Sequence, residues 1–306
     1  MLSKSTKKRI FKYRWLYLLA LPGLVYLFIN NYLPMAGLVI AFKKVNFRLG
    51  IWNSPWAGFE NFRYLFATKD AWIITRNTIL YNLVFIALGL IVSVTLAIGL
   101  SDMKKKKLRS LYQGSFLIPY IISYVVVSYL VYAFLGTNGL MNKTILPALG
   151  KKPENWYLTS KWWPYILVFV NTWKNAGYAT VIYMATILGF DGSLFEAADL
   201  DGATSWQKIR FITLPLLKPT MITLTMLNVG RIFYSDFGLF YQVPQNSGAI
   251  LDVTNVIDTY VYRGLLQLGD ISMSSAAGLY QAVVGFIVIL GANLLVKKFS
   301  PEDALF

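Results

Sequence analysis

The sequence contains neither cysteine nor histidine. Without them there is no disulfide framework, no thiolate nucleophile, no Ser-His-Asp triad and no zinc site built on imidazole or thiolate. Acidic residues are scarce too: 14 Asp and Glu stand against 29 Lys and Arg, a formal net charge of +15. Charged residues of both signs make up 14% of the 306 residues, where a soluble domain carries about 25%. The chain is short of water-facing surface. What is present is apolar, with 56% hydrophobic and 16% aromatic residues and a mean hydropathy of +0.52. One integral membrane domain is the economical reading. The basic residues cluster beside apolar runs, which suits anionic headgroups and orientation signals better than nucleic acid.

Six apolar stretches are long enough to cross about 30 Å of hydrocarbon as helices, at about 15–42, 76–100, 111–135, 162–190, 216–239 and 275–296. The expected fold is therefore an all-α integral membrane bundle of six transmembrane helices, forming one domain over 1–306. Lys4, Lys7, Lys8, Arg9, Lys12 and Arg14 precede the first run. That run is too long for a signal-peptide core and has no small-x-small cleavage site, so an uncleaved first span is expected. Six spans put both termini on one side. If that side is cytoplasmic, inner segments carry 15 Lys and Arg in 57 residues and outer segments 10 in 93. The bias points to cytoplasmic termini and a multi-pass cell-membrane protein. No repeat, linker or low-complexity tract divides the chain.

The longest patterned polar interruption is Ser193–Pro215, between the fourth and fifth spans. Ser193 with Glu196, and Thr204 with Gln207, have the spacing of capping boxes, and Gly202 stands where a short helix needs a left-handed residue to end. Two short helices joined at Asp201-Gly202-Ala203 are expected, with Pro215 at a helix start.

Glu196-Ala197-Ala198, Asp201-Gly202-Ala203, Ile212, Leu214 and Pro215 resemble the EAA loop of importer-type ABC transporter permeases. In that family the loop is a cytoplasmic coupling helix that docks into a groove on the ATPase. The resemblance implies that Glu196 caps the helix and meets basic residues of the partner. Ala197, Ala198 and Ala203 would permit close approach, Gly202 the bend, and Pro215 the angle of re-entry. The likeness extends over nearly the whole chain. Leu18–Phe42, Phe237–Pro244, Asn246-Ser247-Gly248, Asp258–Arg263 and Asp303-Ala304-Leu305-Phe306 are similar to the polysaccharide and oligosaccharide branch of the carbohydrate importers. That branch, typical of Gram-positive bacteria, implies a heterodimer with a second permease subunit, an ATPase dimer that binds the ATP and Mg, and an extracellular lipid-anchored solute-binding protein. The implied substrate is an oligosaccharide or other complex sugar, moved by alternating access. Tyr241–Arg263 would then be an outer loop meeting the binding protein or forming a lip of the pore.

Charges inside spans cost about 2.5–3.5 kcal/mol each unless paired or wet. Lys174 sits among Asn171, Trp173, Asn175 and Tyr178; Arg231 and Asp236 sit among Asn228, Tyr234 and Ser235. Two readings stand side by side: a polar cavity lining suited to sugar hydroxyls and pyranose faces, or an internal ion pair of Asp236 with Arg231 or Lys174. Trp15, Tyr17, Trp52, Trp56, Trp162 and Trp163 fall at span ends and read as interfacial anchors. Gly136-Thr137-Asn138-Gly139 is no phosphate loop, and no Walker pattern occurs, so no catalytic residue and no bound cofactor is assigned. A permease for another solute and a membrane-embedded transferase are the alternatives, the latter against the scattered acids and missing histidine.

Overall fold

The computed structural model describes residues 12–299; Lys4, Lys7, Lys8, Arg9 and Asp303–Phe306, named above, lie outside them. Among the described residues the regular structure is helical, apart from a lone antiparallel bridge between Lys43 and Trp56. Helix α1 (Arg14–Leu27) continues through Phe28–Tyr32 and Leu33–Phe42 as one run of 29 residues. After a short amphipathic helix α2 (Glu60–Ala67), α3 (Lys69–Ser101) begins well ahead of the expected 76–100. Next come α4 (Lys106–Ile121), α5 (Tyr124–Leu135), α6 (Trp163–Leu188), α7 (Gly192–Leu200) and α8 (Ser205–Val229). The chain closes with α9 (Ile257–Leu266) and α10 (Ile271–Phe299). Four helices are long and apolar enough to cross a membrane alone, and six if each bent pair, α4 with α5 and α6 with α7, forms one span.

Prolines shape these rods in a regular way. Four widened turns, Phe28–Tyr32, Met141–Ile145, Ile209–Thr213 and Gly238–Gln242, each end two residues before a proline: Pro34, Pro147, Pro215 and Pro244. In three of them the amide just before the proline donates to the first residue of the turn (Leu33 to Phe28, Leu146 to Met141, Leu214 to Ile209). Proline lacks an N–H and its ring crowds the carbonyl four residues back, and an i→i+5 turn relieves that crowding without ending the helix. The expected second short helix after Gly202 is therefore not separate. Ser205–Lys208 runs unbroken through the widened turn into the fifth apolar stretch, and Pro215 lies inside that run rather than at its start.

Two further departures bear on function. The third apolar stretch, expected as one rod over 111–135, is α4 and α5 set at 96°. Pro119 weakens the last turn of α4, and the Ser123 hydroxyl accepts the Val126 amide at 3.4 Å to start α5 afresh. The fifth helix stops at Val229, so Arg231 and Asp236 lie beyond it in a non-helical connector rather than inside a span. Gly230 follows the stop and faces α10, where an added Cβ would come within 2.7 Å of the Ile289 Cδ1.

Three apolar clusters fill the bundle lengthwise. Val94, Ala97, Tyr183, Met184 and Leu217 pack at the α7 end. Tyr81, Trp163, Leu167, Leu239 and Phe240 pack at the opposite end, and Leu65, Ile74, Phe233, Ile257 and Ala277 lie beside them. Helices α3 and α6 lie against each other, with the Ser93 hydroxyl donating to the Ala176 carbonyl at 3.1 Å. At Gly177, α6 comes so near α4 that an added Cβ would sit 1.9 Å from the Phe116 carbonyl oxygen. Small residues at crossings and hydroxyl-to-backbone bonds are how helices cohere where lipid offers no hydrophobic contrast. Outward faces remain apolar: Leu19 is 81% and Trp15 69% exposed on α1.

The stretch 240–274, which holds the expected outer loop Tyr241–Arg263, is folded down onto the bundle. Thr254, Asn255, Val256, Ile257 and Thr259 are buried. Asn77 on α3 donates to the Asn255 carbonyl at 2.9 Å, and Thr78 accepts the Ile257 amide at 3.1 Å. The turn that allows this places Gln245 and Asn246 at positive φ, 53° and 48°.

Candidate functional site: a tyrosine-walled cavity and an exposed elbow

A cavity of about 520 Å³ opens between α3, α6 and α8. Of the nine residues expected to mark a pathway, six line it: Asn171, Asn175, Tyr178, Asn228, Arg231 and Tyr234. Tyr178 stacks on Tyr120 of α4, ring centroids 4.9 Å apart and planes within 15°. The two rings form one flat aromatic wall. Asn175 donates its side-chain amide to the Asn171 carbonyl at 3.1 Å and to its Oδ1 at 3.0 Å. The side chains of Asn228 and Arg231 have no hydrogen-bond partner and no ion-pair partner among the described residues.

The other three lie elsewhere. Trp173 faces away from the cavity and is 40% exposed. Lys174 is buried and forms no ion pair among the described residues; its ammonium donates to the carbonyls of Pro119 (3.1 Å), Tyr120 (2.9 Å) and Ile122. It caps the end of α4, where the break leaves carbonyls without helical partners. Asp236 accepts the Leu239 amide at 3.2 Å and starts the next helical turn. No ion pair links Asp236 to Arg231 or Lys174.

Residues that the sequence reading passed over complete the cavity. Asn82 lines it and donates to the Ile232 carbonyl at 2.9 Å, tying the Arg231–Tyr234 connector to α3. Ser93 and Tyr120 also line it. Asn82 and Ser93 carried a signal: polar side chains inside an otherwise uncharged apolar run are costly unless they face a partner or a wet cavity.

At one end of the bundle α7 and the start of α8 form an elbow, with α7 bent 70° from α6. Asp191, not Ser193, caps α7: its carboxylate accepts the Ser193 amide at 2.9 Å. The expected Ser193–Glu196 box is thus replaced, because the helix starts two residues earlier, at Gly192. Glu196 is exposed and free of that role. The Asp191 carboxyl is held below the usual carboxylate range by those hydrogen bonds to Ser193. The Thr204–Gln207 box is formed. Gly202 has φ +75°, the Ala203 amide reaches back to Ala198 at 2.9 Å and the Gly202 amide to Asp199 at 3.1 Å. That is a Schellman ending. Lys208 and Asp199 close the elbow with an ion pair of 2.7 Å. Of the remaining motif residues, Ala197 and Asp201 are exposed, whereas Ala198, Ala203, Ile212 and Leu214 are half-buried; Pro215 is exposed. Apolar side chains stand out around the bend: Leu200 is 90%, Phe211 67% and Trp206 65% exposed.

Residues 89–301 match the family model described as the binding-protein-dependent transport system inner membrane component. The chain belongs to that family. This permease is 33% identical to Protein LplB of Bacillus subtilis (strain 168), covering 94% of the chain and 90% of the relative. It is 32% identical to the polygalacturonan/rhamnogalacturonan transport system permease protein YteP of the same organism, over 98% and 94%. Its fold matches, with TM-score 0.88, 30% identity and coverage of 97% and 100%, a chain of a bacterial ABC transporter involved in the import of the acidic polysaccharide alginate. The permease is accordingly a membrane-embedded transport subunit and not a transferase or other enzyme.

Proposed function

We propose that this permease is one half of the membrane channel of an ATP-driven importer that carries an oligosaccharide across the cytoplasmic membrane by alternating access. The observation that carries it is the cavity: asparagine amides and a flat tyrosine wall, enclosed by helices whose outer faces are apolar. Amides exchange hydrogen bonds with sugar hydroxyls, and aromatic planes stack on pyranose faces. The permease relatives that transport polygalacturonan or alginate support the substrate class.

In this reading the bent pair α4 and α5 makes one crossing and α6 another, giving six spans with both termini in the cytoplasm. The α7 elbow is then the coupling helix, and Glu196, Ala197, Ala198, Asp201, Gly202, Ala203, Ile212, Leu214 and Pro215 are the residues through which an ATPase dimer acts. Leu200, Trp206 and Phe211, exposed at the bend, supply an apolar contact that a groove on such a partner would cover. ATP and Mg belong to that partner. The other half of the channel is a related permease, and a lipid-anchored solute-binding protein delivers the sugar from outside. The related alginate importer has been seen with a pentasaccharide-bound periplasmic protein, which supports this arrangement. A Gram-positive cell membrane is the expected setting.

The test is reconstitution of the permease with a second permease, an ATPase and a lipid-anchored binding protein. Oligosaccharide with binding protein should raise ATP hydrolysis and drive uptake into proteoliposomes. Hydrolysis indifferent to every oligosaccharide offered would refute the proposal.

A further inference from the structure

We propose that the cavity selects oligosaccharides bearing carboxylates, with Arg231 as the cation that receives them. This rests on the importer reading above and narrows it to uronate-containing sugars. Arg231 is the one charged side chain among the residues that line the cavity, and neither Asp nor Glu lines it. Its guanidinium has no hydrogen bond or ion pair among the described residues. Arg263 is the opposite case: its guanidinium already donates to Asn246 at 2.8 Å, to Thr259 at 3.2 Å and to Asn255.

Arg231 is exposed, so its guanidinium stands open to the cavity. A structural role would rest on bonded acceptors, and among the described residues the guanidinium has none. The arrangement makes chemical sense when the acceptor arrives with the substrate. A guanidinium presents a planar fork of donors that matches a carboxylate bidentately. A cavity built for neutral sugars gains by carboxylates that accept from hydroxyls, and such groups here would repel a uronate. The site instead offers the free amide of Asn228 one helical turn before Arg231, the Asn171–Asn175 pair, and the Tyr120–Tyr178 wall. Amides and rings hold the sugar; the cation reads the acid. Asn82 positions the reader by holding the Ile232 carbonyl at 2.9 Å.

The experiment compares sugars that differ only at the carboxyl. Oligosaccharides of galacturonate, mannuronate and glucuronate are each offered beside their methyl esters, with neutral glucose, galactose and arabinose oligosaccharides, to the complete importer in proteoliposomes. Wild type, Arg231→Lys and Arg231→Gln share one binding protein, so any change in the acid-to-ester ratio of uptake comes from the permease. At least one acid form should exceed its ester, and Arg231→Gln should lower that ratio about tenfold, the worth of a hydrogen bond to a charged group. Co-purification of Arg231→Gln with the other subunits in the wild-type ratio shows an assembled complex, and Arg231→Lys should keep part of the preference. Neutral sugars preferred over every acid, or a ratio unchanged in Arg231→Gln, overturns the inference and leaves the importer standing. Uptake of no oligosaccharide of any kind overturns both.

Discussion

The Lys174 ammonium donates to the Tyr120 carbonyl at 2.9 Å, and the Tyr120 ring forms half of the cavity wall. A buried cation thus fixes an aromatic surface through the backbone that carries it. Lys174 also reaches the Pro119 and Ile122 carbonyls, so one side chain satisfies the acceptors that the 96° break between α4 and α5 sets free.

Replacing Lys174 with Met should leave those carbonyls without donors, that of Pro119 in a buried place. An orphaned buried acceptor costs about 1–3 kcal/mol. The thermal midpoint of the detergent-purified complex should fall, and the KM for sugar should rise as Tyr120 loses its seat against Tyr178. Lys174→Arg, which keeps donors and charge, should recover much of both. A Met variant with unchanged midpoint and KM would show that the break holds without its cap.

Gly177 makes a sharper steric prediction. Any Cβ there meets the Phe116 carbonyl at 1.9 Å, and backbone cannot swing aside as a side chain can. Gly177→Ala should force α4 from α6 and cost about 1–3 kcal/mol as overpacking. Gly99→Ala, on α3 with nothing within 4 Å of the added carbon, is the matched control. Thermal unfolding of both variants checks it, and equal midpoints would contradict the close crossing.

These residues also show what could and could not be read from the chain. Apolar run length located the rods, and capping chemistry located the elbow, because both are properties of neighbours in sequence. Gly202 was legible for the same reason: a helix ending in a Schellman turn needs a left-handed residue. Lys174 was not. Its partners are carbonyls released only where α4 breaks, fifty-odd residues earlier, and neither wet lining nor ion pair describes them. Arg231 falls in an apolar stretch, and hydropathy does not register that the helix ends at Val229. The widened turns before Pro34 and Pro215 let the runs Arg14–Phe42 and Ser205–Val229 continue unbroken past a proline.

The elbow yields a coupling prediction. Gly202 holds φ +75°, where a residue with a Cβ is strained by about 1–2 kcal/mol. Gly202→Val should distort the turn joining α7 to α8, and Glu196→Lys should reverse charge on the exposed face of α7 without touching the core. Each should lower sugar-stimulated ATPase activity in the reconstituted importer while insertion and yield are unaffected. Activity equal to wild type in both would remove this bend from the coupling route.

Asp191 gives the pH dependence. Its carboxylate accepts the Ser193 amide, and that bond holds its pKa below the ordinary value of 3.8. A group whose folded pKa is depressed contributes stability above its unfolded pKa and loses it as pH falls through the folded one. The cap on α7 should therefore stand unchanged through neutral pH and weaken only in acid at or below the usual carboxylate range. Amide exchange of Gly192–Leu200, corrected for its intrinsic pH dependence, should show protection lost over that window in wild type. Asp191→Asn, a good neutral cap, should keep its protection through the same titration, and Asp191→Ala should lack it at every pH. Protection in wild type that survives acid as it does in Asp191→Asn would mean that the hydrogen bond, and not the charge, holds the start of the elbow.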